Sequence, residues 1–502
     1  MGSRNRKKVF YNIISGLGYQ FVIIALGFIM PRLYMVEFGS AVNGVLSTIK
    51  QIFAYLWLLE AGVGLATSQA LYGPIAKQDR KSINSILAAT SRCYLRTGAV
   101  YAAIVLAIAF IYSFLVADTL SPAIVFALAI LNGLPTIFSY LVFAKYRLFL
   151  EADGQSYVIT TSDTIVQLAT SIGKLLALLL FKDLVMVQAA YCICAILQLL
   201  YLYRYTKRNY PWLDVSVKPD FTFIEQKTSV LIHQISGVVF NNTDIILLSI
   251  FSDLKIVSVY SIYNLFFTTI QSLISTVTSS ITFFLGQLFN SDRKRFMQGF
   301  EVYETVYIMA TTYIFTMMGL FLLPLIRLYT SDVTDINYID SLLLLLFVAM
   351  NLLSCSKVPV TQAINFSGRF KDTQNYAVIE MVLNVGITIV GILVWGIYGG
   401  LLGSVLALIY RCIVTIRFAN KKIFERSSWH TYRRIALNNG LCVLLLIILG
   451  LHAASELPFM RLLLLGIIYA VPVAIIFLLA NILAERSAFH FIMDLIHRRR
   501  YR

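Results

Sequence analysis

The sequence predicts an all-α polytopic membrane protein with about fourteen transmembrane helices, on the basis of its composition, its apolar runs and its charge distribution. Of its 502 residues, 59% are hydrophobic and 13% are charged, whereas soluble domains contain roughly 45–50% apolar and 25% charged residues. Mean hydropathy is +0.78. Because one bilayer crossing needs about 20 apolar residues, the chain can supply a dozen or more crossings. This composition excludes a soluble enzyme, a disordered regulator and a fibrous protein.

The apolar runs are separated by breaks that carry charge, proline or glycine, as turns do. Examples of such breaks are Gly73-Pro74 and Ser121-Pro122. The six cysteines lie in or beside apolar runs without metal-ligand spacing to histidine, so no metal site is predicted. The predicted spans are 9–31, 44–70, 86–116, 122–146, 156–181, 184–205, 228–251, 256–288, 302–328, 341–366, 374–397, 399–419, 434–453 and 460–484.

The distribution of basic residues predicts that both termini are cytoplasmic. If the N-terminus is cytoplasmic and the loops alternate, 31 of the 41 Lys and Arg residues lie in or beside cytoplasmic loops. Such a bias follows the positive-inside rule for membrane proteins. The net charge of +16 therefore reports topology and contacts with anionic lipid heads, and it does not predict nucleic-acid binding. The predicted location is the plasma or inner membrane of the cell.

An internal repeat divides the predicted spans into two sets of six with the same orientation. Gln78-Asp79-Arg80-Lys81 follows span two, and the similar Ser291-Asp292-Arg293-Lys294 follows span eight, 213 residues later. Parallel repeats of this kind relate two bundles by an axis along the membrane normal. The predicted domains are a six-helix bundle (1–206), a basic cytoplasmic linker (207–227), a second six-helix bundle (228–424), and two accessory helices with a basic cytoplasmic tail (425–502).

Ionisable residues within spans are the candidate functional groups, because a charge facing lipid at the bilayer centre costs roughly 2.5–3.5 kcal/mol. Helical phase places Asp163 with Lys174 on one face of span five, and Asn241 with Asp244 on one face of span seven. Polar faces in both halves predict two bundles facing a central lumen. The ionisable candidates are Lys50, Glu60, Arg92, Arg96, Asp163, Lys174, Asp244, Lys357 and Glu380, with His233 as a tenth.

Some of these side chains have a structural alternative. Lys357 can be neutralised by Glu380 on the adjacent span, and the polar stripe of span eight, which includes Asn264 and Gln271, can mediate helix packing alone. Lys50 and Lys174 lack an obvious partner in the local sequence, which favours them for binding an anionic ligand.

No nucleotide-binding or catalytic motif accompanies these charges. Gly173-Lys174 is not the end of a phosphate-binding loop, because Leu168 stands where the first glycine is required and Leu175 replaces Ser or Thr. Neither ATP hydrolysis nor a cofactor is predicted. The predicted class is therefore a secondary transporter or flippase, not an enzyme, that works by alternating access.

The charge balance of the lumen indicates the class of solute. Basic groups slightly exceed acidic ones, with Arg32 at the outer mouth, which favours an anionic or phosphate-bearing solute. The acidic side chains, chiefly Asp244, Asp163 and Glu60, can carry a coupling proton or cation. Glu380 is a further coupling candidate if it is not neutralised.

Local features then resemble a known family. These are Asn241-Asn242-Thr243-Asp244-Ile245-Ile246-Leu247 in span seven, Val257-Ser258-Val259-Tyr260 at the start of span eight, and Ser15-Gly16-Leu17-Gly18 with Pro31-Arg32 in span one. Together with the six-plus-six-plus-two order of spans, they resemble the bacterial polysaccharide flippases of the multidrug/oligosaccharidyl-lipid/polysaccharide exporter superfamily. The resemblance extends over essentially the whole chain.

The resemblance implies a flippase for polyprenyl-diphosphate-linked oligosaccharides, used in cell-surface polysaccharide biosynthesis, with membrane lipids, a polysaccharide polymerase and glycosyltransferases as partners. Lys50, Lys174 and Lys357 would hold the diphosphate or acidic sugars. Asn241, Asn264 and Gln271 would bond sugar hydroxyls. Asp244 or Glu60 would exchange the coupling proton.

Three alternatives remain open at the level of sequence. A multidrug or cation antiporter of the same superfamily predicts a lumen dominated by acidic and aromatic residues. A peptidoglycan lipid-precursor flippase has the same length and number of spans. A membrane-embedded glycosyltransferase or ligase needs a sizeable extramembrane loop, whereas the longest outer loop is residues 329–340.

Overall fold

A computed structural model of the protein describes residues 3–221, 228–450 and 458–486, and the regular elements in these ranges are all helical. By length and composition, thirteen of these helices can cross a membrane. The prediction of an all-α, multi-pass membrane protein is therefore confirmed. The helices are α1 (Ser3–Phe38), α2 (Ser40–Leu56), α3 (Leu58–Lys77), α4 (Arg80–Leu115), α5 (Pro122–Phe138), α6 (Ala144–Ala152), α7 (Ser156–Phe181), α8 (Leu184–Asn209), α9 (Thr228–Phe251), α10 (Leu254–Ser291), α11 (Arg293–Tyr329), α12 (Ser341–Ser356), α13 (Val358–Ser367), α14 (Phe370–Lys422), α15 (Trp429–Leu449) and α16 (Phe459–Ala484).

Helix α14 contains both predicted spans eleven and twelve, which is why thirteen crossing helices account for fourteen predicted spans. Its helical path is broken at Gly396, where φ is 59°, a left-handed value that glycine adopts without strain. The two arms then run side by side, since the Asn384 amide donates to the Ser404 hydroxyl at 2.8 Å. A Cβ atom on Gly399 would lie 2.0 Å from the carbonyl oxygen of Gly391. Only glycines allow this approach of the two arms.

The chain divides into two compact units, which are residues 1–231 and 232–502. Helix boundaries in the second unit follow those in the first by the same number of residues as the repeated sequence motifs do. Helix α4 begins at Arg80 and α11 at Arg293, while α8 ends at Asn209 and α14 at Lys422. Both offsets are 213 residues, so the helix boundaries support the predicted parallel repeat.

Predicted spans four and ten are interrupted at corresponding places. In the first unit, a π-helical turn at Ser139–Phe143 separates α5 from α6. In the second unit, Lys357 separates α12 from α13. Irregular turns inside helices are frequent at functional sites, because they re-aim side chains. The break places Lys357 at a helix junction rather than on a regular helix face.

A buried network of charges attaches α15 and α16 to the rest of the second unit. Arg434 of α15 is 1% exposed and donates to the carboxylates of Glu304 on α11 and Glu485, which follows α16. Arg426 adds a second contact to Glu304 at 2.7 Å. Burial alone would raise the pKa of Glu485, but hydrogen bonds from Arg434 and Arg433 outweigh it and hold that pKa below its ordinary value. The accessory helices are therefore integral to this unit.

Residues 210–221, from the predicted cytoplasmic linker, belong to the first unit. Leu213 is buried in the hydrophobic core of that unit. The side-chain amide of Asn84 donates to the carbonyl oxygen of Trp212 at 3.1 Å, and the Arg80 guanidinium lies 5.1 Å from the centre of the Trp212 ring. The described part of the linker is thus an ordered strap over the N-terminal end of α4.

Candidate functional site

Two predicted lysines of the first unit come together from different helices. Lys50 lies on α2 and Lys174 on α7, close enough for their charges to interact. The Lys174 ammonium lies 5.2 Å from the centre of the Tyr191 ring on α8, a favourable cation–π contact. Among the described residues, no carboxylate oxygen lies within 4.0 Å of either lysine. Two neighbouring cations without a counter-ion repel each other, and a bound anion would relieve that repulsion.

Trp57 continues the polar face that carries Lys50. It stands at the break between α2 and α3 with helical dihedral angles and is 52% exposed. Seven residues correspond to almost two full helical turns, so Trp57 and Lys50 point in nearly the same direction. Because a charged side chain avoids lipid, this face is the one directed to a polar environment.

Glu60 is held by phenols rather than by a cation. The Tyr94 hydroxyl donates to Glu60 Oε1 at 3.0 Å, and Tyr140 lies close enough for the Glu60 charge to act on it. The two tyrosine rings lie 5.5 Å apart and are themselves buried. The charge of Arg147 acts on Glu60 only from a longer distance. Glu60 is thus a carboxylate without a direct basic partner among the described residues, which suits exchange of a proton.

Asp163, on α7, is fixed by two polar neighbours. The side-chain amide of Gln198 donates to its Oδ1, and Arg147 Nη2 lies 4.0 Å from its Oδ2. Arg147 also contacts Glu151 at 3.1 Å. Asp163 is therefore partly neutralised, and the Arg147 partner was missed because Arg147 lies just after predicted span four, among the basic residues assigned to a cytoplasmic loop.

In the second unit, the Glu380 carboxylate lies between two cations. It accepts a hydrogen bond from Lys357 at 2.7 Å, and Arg411 Nε lies 3.4 Å from its Oε2 as an ion pair. The Lys357 ammonium also lies 5.5 Å from the centre of the Phe240 ring. The sequence left two roles open for Lys357, which were ligand binding and an ion pair with Glu380. The structure shows the ion pair. Lys357 is consequently not an unpaired cation like Lys50 and Lys174.

Asp244 forms the centre of a buried cluster in the second unit, here named the Asp244 centre, with Tyr260, Asn384 and Ser404. Asp244 is 6% exposed. Its Oδ2 accepts from the Tyr260 hydroxyl at 3.0 Å and from the Ser404 hydroxyl at 2.7 Å. Its Oδ1 and the side-chain oxygen of Asn384 are buried without a hydrogen-bond partner.

Unpartnered buried oxygens carry a desolvation penalty of roughly 1–3 kcal/mol each. No basic nitrogen of the described residues lies within 4.0 Å of Asp244 to offset its charge. One free oxygen of the Asp244 carboxylate and the free amide oxygen of Asn384 suit a proton or a hard monovalent cation, which prefers oxygen ligands. Sequence reasoning found Asp244 but missed Asn384 and Ser404, since single small polar residues in apolar runs give no distinctive signal.

The predicted sugar-binding amides differ in their availability. Asn241 on α9 is exposed, and its amide donates to the carbonyl oxygen of Gly237 at 2.8 Å. Asn264 on α10 is half-buried. Gln271 donates to the side chain of Asn351 on α12, so it contributes to helix packing within the unit. Arg32 is half-buried near the end of α1.

His233, the tenth ionisable candidate, is engaged by α14. Its Nε2 lies 3.0 Å from the carbonyl oxygen of Phe370 and 3.3 Å from the Thr373 hydroxyl. These contacts give His233 a local hydrogen-bonding role within the second unit.

Comparison with known proteins identifies the class of fold. No protein-family model and no curated protein sequence matches the chain. Among solved structures, the fold is similar to an inward-facing multidrug resistance MATE family transporter of the MOP superfamily, with a TM-score of 0.65 and 12% identity over 81% of this chain and 95% of that one. It is also similar to the lipid II flippase MurJ in an inward closed conformation, with a TM-score of 0.62 and 16% identity over 96% of this chain and 100% of that one.

A MATE transporter from Vibrio cholerae is a third structural relative, with a TM-score of 0.50 and 15% identity over 86% of this chain and 100% of that one. The chain therefore has the fold shared by MATE transporters and MurJ, and at these identities the likeness defines the fold.

Proposed function

We propose that the protein is a flippase that moves polyprenyl-diphosphate-linked oligosaccharides from the cytoplasmic to the outer leaflet of the cell membrane, with both termini in the cytoplasm. The observation that carries this proposal is the pair of lysines, Lys50 and Lys174, without a carboxylate partner among the described residues. A diphosphate supplies the two negative charges that such a pair can accept, and lysine is a common phosphate ligand.

Other predicted side chains suit the saccharide part of this substrate. The exposed indole of Trp57, on the same face as Lys50, offers an apolar surface with a polar edge. In the second unit, Asn241 and Asn264 can exchange hydrogen bonds with sugar hydroxyls, because each amide carries two donor protons and one acceptor oxygen. Cations and an aromatic face in the first unit suit a phosphorylated sugar better than an apolar drug.

Coupling is assigned to the Asp244 centre, with Glu60 as a second carboxylate. Binding of a proton or monovalent cation at Asp244 would satisfy its unpartnered oxygen and neutralise its buried charge. Its ligands come from α9, α10 and both arms of α14, so occupancy can alter the packing of these helices. Asp163 and Glu380 already have basic neighbours, which makes them weaker candidates for coupling.

Two related functions have specific support. A flippase for peptidoglycan lipid precursors is supported by the fold of MurJ, whose whole length this chain covers. A multidrug or cation antiporter is supported by the fold of the MATE transporters. The unpaired lysines disfavour an organic cation because they would repel it.

Expression in cells that lack their polysaccharide flippase separates these functions. The proposal expects restored surface polysaccharide and unchanged susceptibility to cationic drugs. Rescue of cells depleted of their peptidoglycan-precursor flippase, without restored polysaccharide, would support the precursor alternative. Increased drug resistance without either rescue would support the antiporter.

Asp244→Asn is expected to abolish ion-coupled transport while leaving thermal stability equal or higher. The substitution removes a buried uncompensated charge but keeps the shape and most of the hydrogen bonds. Transport in vesicles with an imposed proton or sodium gradient, together with thermal unfolding of the purified protein, measures both effects. Asp118→Asn, at an exposed loop position, is the matched control and should retain gradient-driven transport. Unimpaired gradient-driven transport by Asp244→Asn would remove Asp244 from the coupling mechanism.

A further inference from the structure

A second pair of lysines in the first unit, Lys145 of α6 and Lys207 of α8, has no role in the function proposed above. Their ammonium nitrogens lie 5.4 and 5.7 Å from the centre of the Tyr146 ring, and their charges interact. Both side chains are half-buried. Among the described residues, no carboxylate oxygen lies within 4.0 Å of either nitrogen, and Asp214 acts on Lys207 only from a longer distance.

The hydrogen-bond donors around this pair are only partly used. Lys145 Nζ donates to the Ser91 hydroxyl at 3.0 Å, and Lys207 Nζ donates to the carbonyl oxygen of Leu213 at 3.2 Å. Each ammonium carries three protons, so donors remain on both lysines. The Ser91 hydroxyl, which accepts from Lys145, still has its own proton to donate. The group therefore offers several donors and an excess of positive charge.

Aromatic side chains pack beside these donors. Tyr146 contacts Tyr203 at 6.0 Å between ring centres, and Phe149 contacts Tyr210 and Trp212 at 4.9 and 5.9 Å. Tyrosine and tryptophan concentrate at membrane–water interfaces, where their apolar bodies and polar edges are both accommodated. Phosphate groups of lipids occupy the same depth.

We propose that Lys145 and Lys207 form a binding site for a phosphate group, with the Ser91 hydroxyl as a third donor. A dianionic phosphate neutralises the two ammonium groups, whose mutual repulsion Asp214 offsets only from a longer distance. Two sources can supply this chemistry, namely the headgroup of a membrane lipid and free inorganic phosphate. The site is separate from the Lys50 and Lys174 pair, and its occupancy does not depend on which solute is transported.

The purified full-length protein allows both sources to be tested without a transport assay. Inorganic phosphate is titrated against the protein in detergent while the thermal unfolding midpoint is recorded, with sodium chloride at matched ionic strength as reference. Separately, the protein is placed in nanodiscs of phosphatidylcholine containing phosphatidic acid, and retained lipids are identified by native mass spectrometry. A saturable rise of the midpoint identifies free phosphate as a ligand, and selective retention of phosphatidic acid identifies the lipid. The absence of both effects in the wild-type protein would overturn the proposal.

Substitutions then locate the site. Lys145→Gln with Lys207→Gln is expected to weaken the observed binding by at least about tenfold, since it removes two charge-assisted hydrogen bonds to the phosphate. Lys77→Gln with Lys81→Gln, which removes two exposed lysines from the same unit, should have little effect. Lys145→Arg with Lys207→Arg keeps both charges and should retain binding, which separates charge loss from misfolding. Equal binding by the double glutamine variant and the wild type, or equal loss in the Lys77 and Lys81 control, would overturn the assignment.

Discussion

Replacing both Lys50 and Lys174 with alanine is expected to weaken binding of a polyprenyl-diphosphate substrate by about 100-fold or more and to abolish its translocation. Each hydrogen bond to a charged group contributes about 1.5–3 kcal/mol, and every 1.4 kcal/mol corresponds to a factor of about ten in affinity. Neither lysine has a carboxylate partner among the described residues. Binding of a short-chain prenyl diphosphate to the purified protein measures this effect directly.

Lys182→Ala is the matched control for this experiment. Lys182 belongs to the same unit but is 71% exposed and paired with Glu37 at 3.1 Å, and exposed ion pairs contribute at most about 1 kcal/mol. This variant should bind like the wild type. Lys50→Arg with Lys174→Arg should retain most binding, because both positive charges remain. Wild-type affinity in the correctly folded double alanine variant would show that the lysines do not hold the diphosphate.

Arg434→Met is expected to destabilise the second unit by about 3–5 kcal/mol, the effect of removing one partner from a buried ion pair. The substitution leaves Glu304, which is fully buried, and Glu485, which is 5% exposed, without their shared partner. Thermal or denaturant unfolding of the purified protein in detergent measures the loss. Adding Glu485→Gln should recover part of the free energy of unfolding, because Glu485 then keeps only the half-exposed Arg433 as a basic partner.

Arg433→Met is the matched control for Arg434→Met. Arg433 also contacts Glu485 but is 50% exposed, so its replacement should change the free energy of unfolding by less than about 1 kcal/mol. The pKa of Glu485 lies below its ordinary value, so its stabilising contribution is present at neutral pH and is lost as the pH falls through that lowered pKa. Equal destabilisation by both arginine variants would contradict the view that the buried network anchors α15 and α16.

Much of the fold could be predicted because membrane insertion imposes strong local rules. Apolar runs of sufficient length marked almost every crossing, and the repeated motifs near Asp79 and Asp292 marked the two halves. The breaks at Trp57 and Lys357 could not be predicted, because the residues on either side remain compatible with a continuous helix. The join between spans eleven and twelve was visible only as Gly396 among several glycines, and its left-handed φ is a property of the folded backbone.

The sequence predicted the candidate site only at charged residues that have no oppositely charged residue near them in the chain. Lys50 and Lys174 lack acidic neighbours in sequence, and among the described residues they also lack them in space. The other charged side chains contact residues that are distant in the sequence. Ser404, which contacts Asp244, lies 160 residues beyond it, and Arg434, which contacts Glu304, lies 130 residues beyond it. One sequence contains no information on such pairs, and the folded helices bring them together.

Translocation in reconstituted vesicles tests the proposed function most directly. The purified protein is incorporated with a polyprenyl-diphosphate-linked oligosaccharide that carries a fluorescent sugar, and a membrane-impermeant quencher reports the fraction on each leaflet. The proposal predicts protein-dependent redistribution between leaflets that is lost in the Lys50→Ala, Lys174→Ala variant and retained in Lys182→Ala. No redistribution by the folded wild-type protein, or equal redistribution by the double alanine variant, would contradict it.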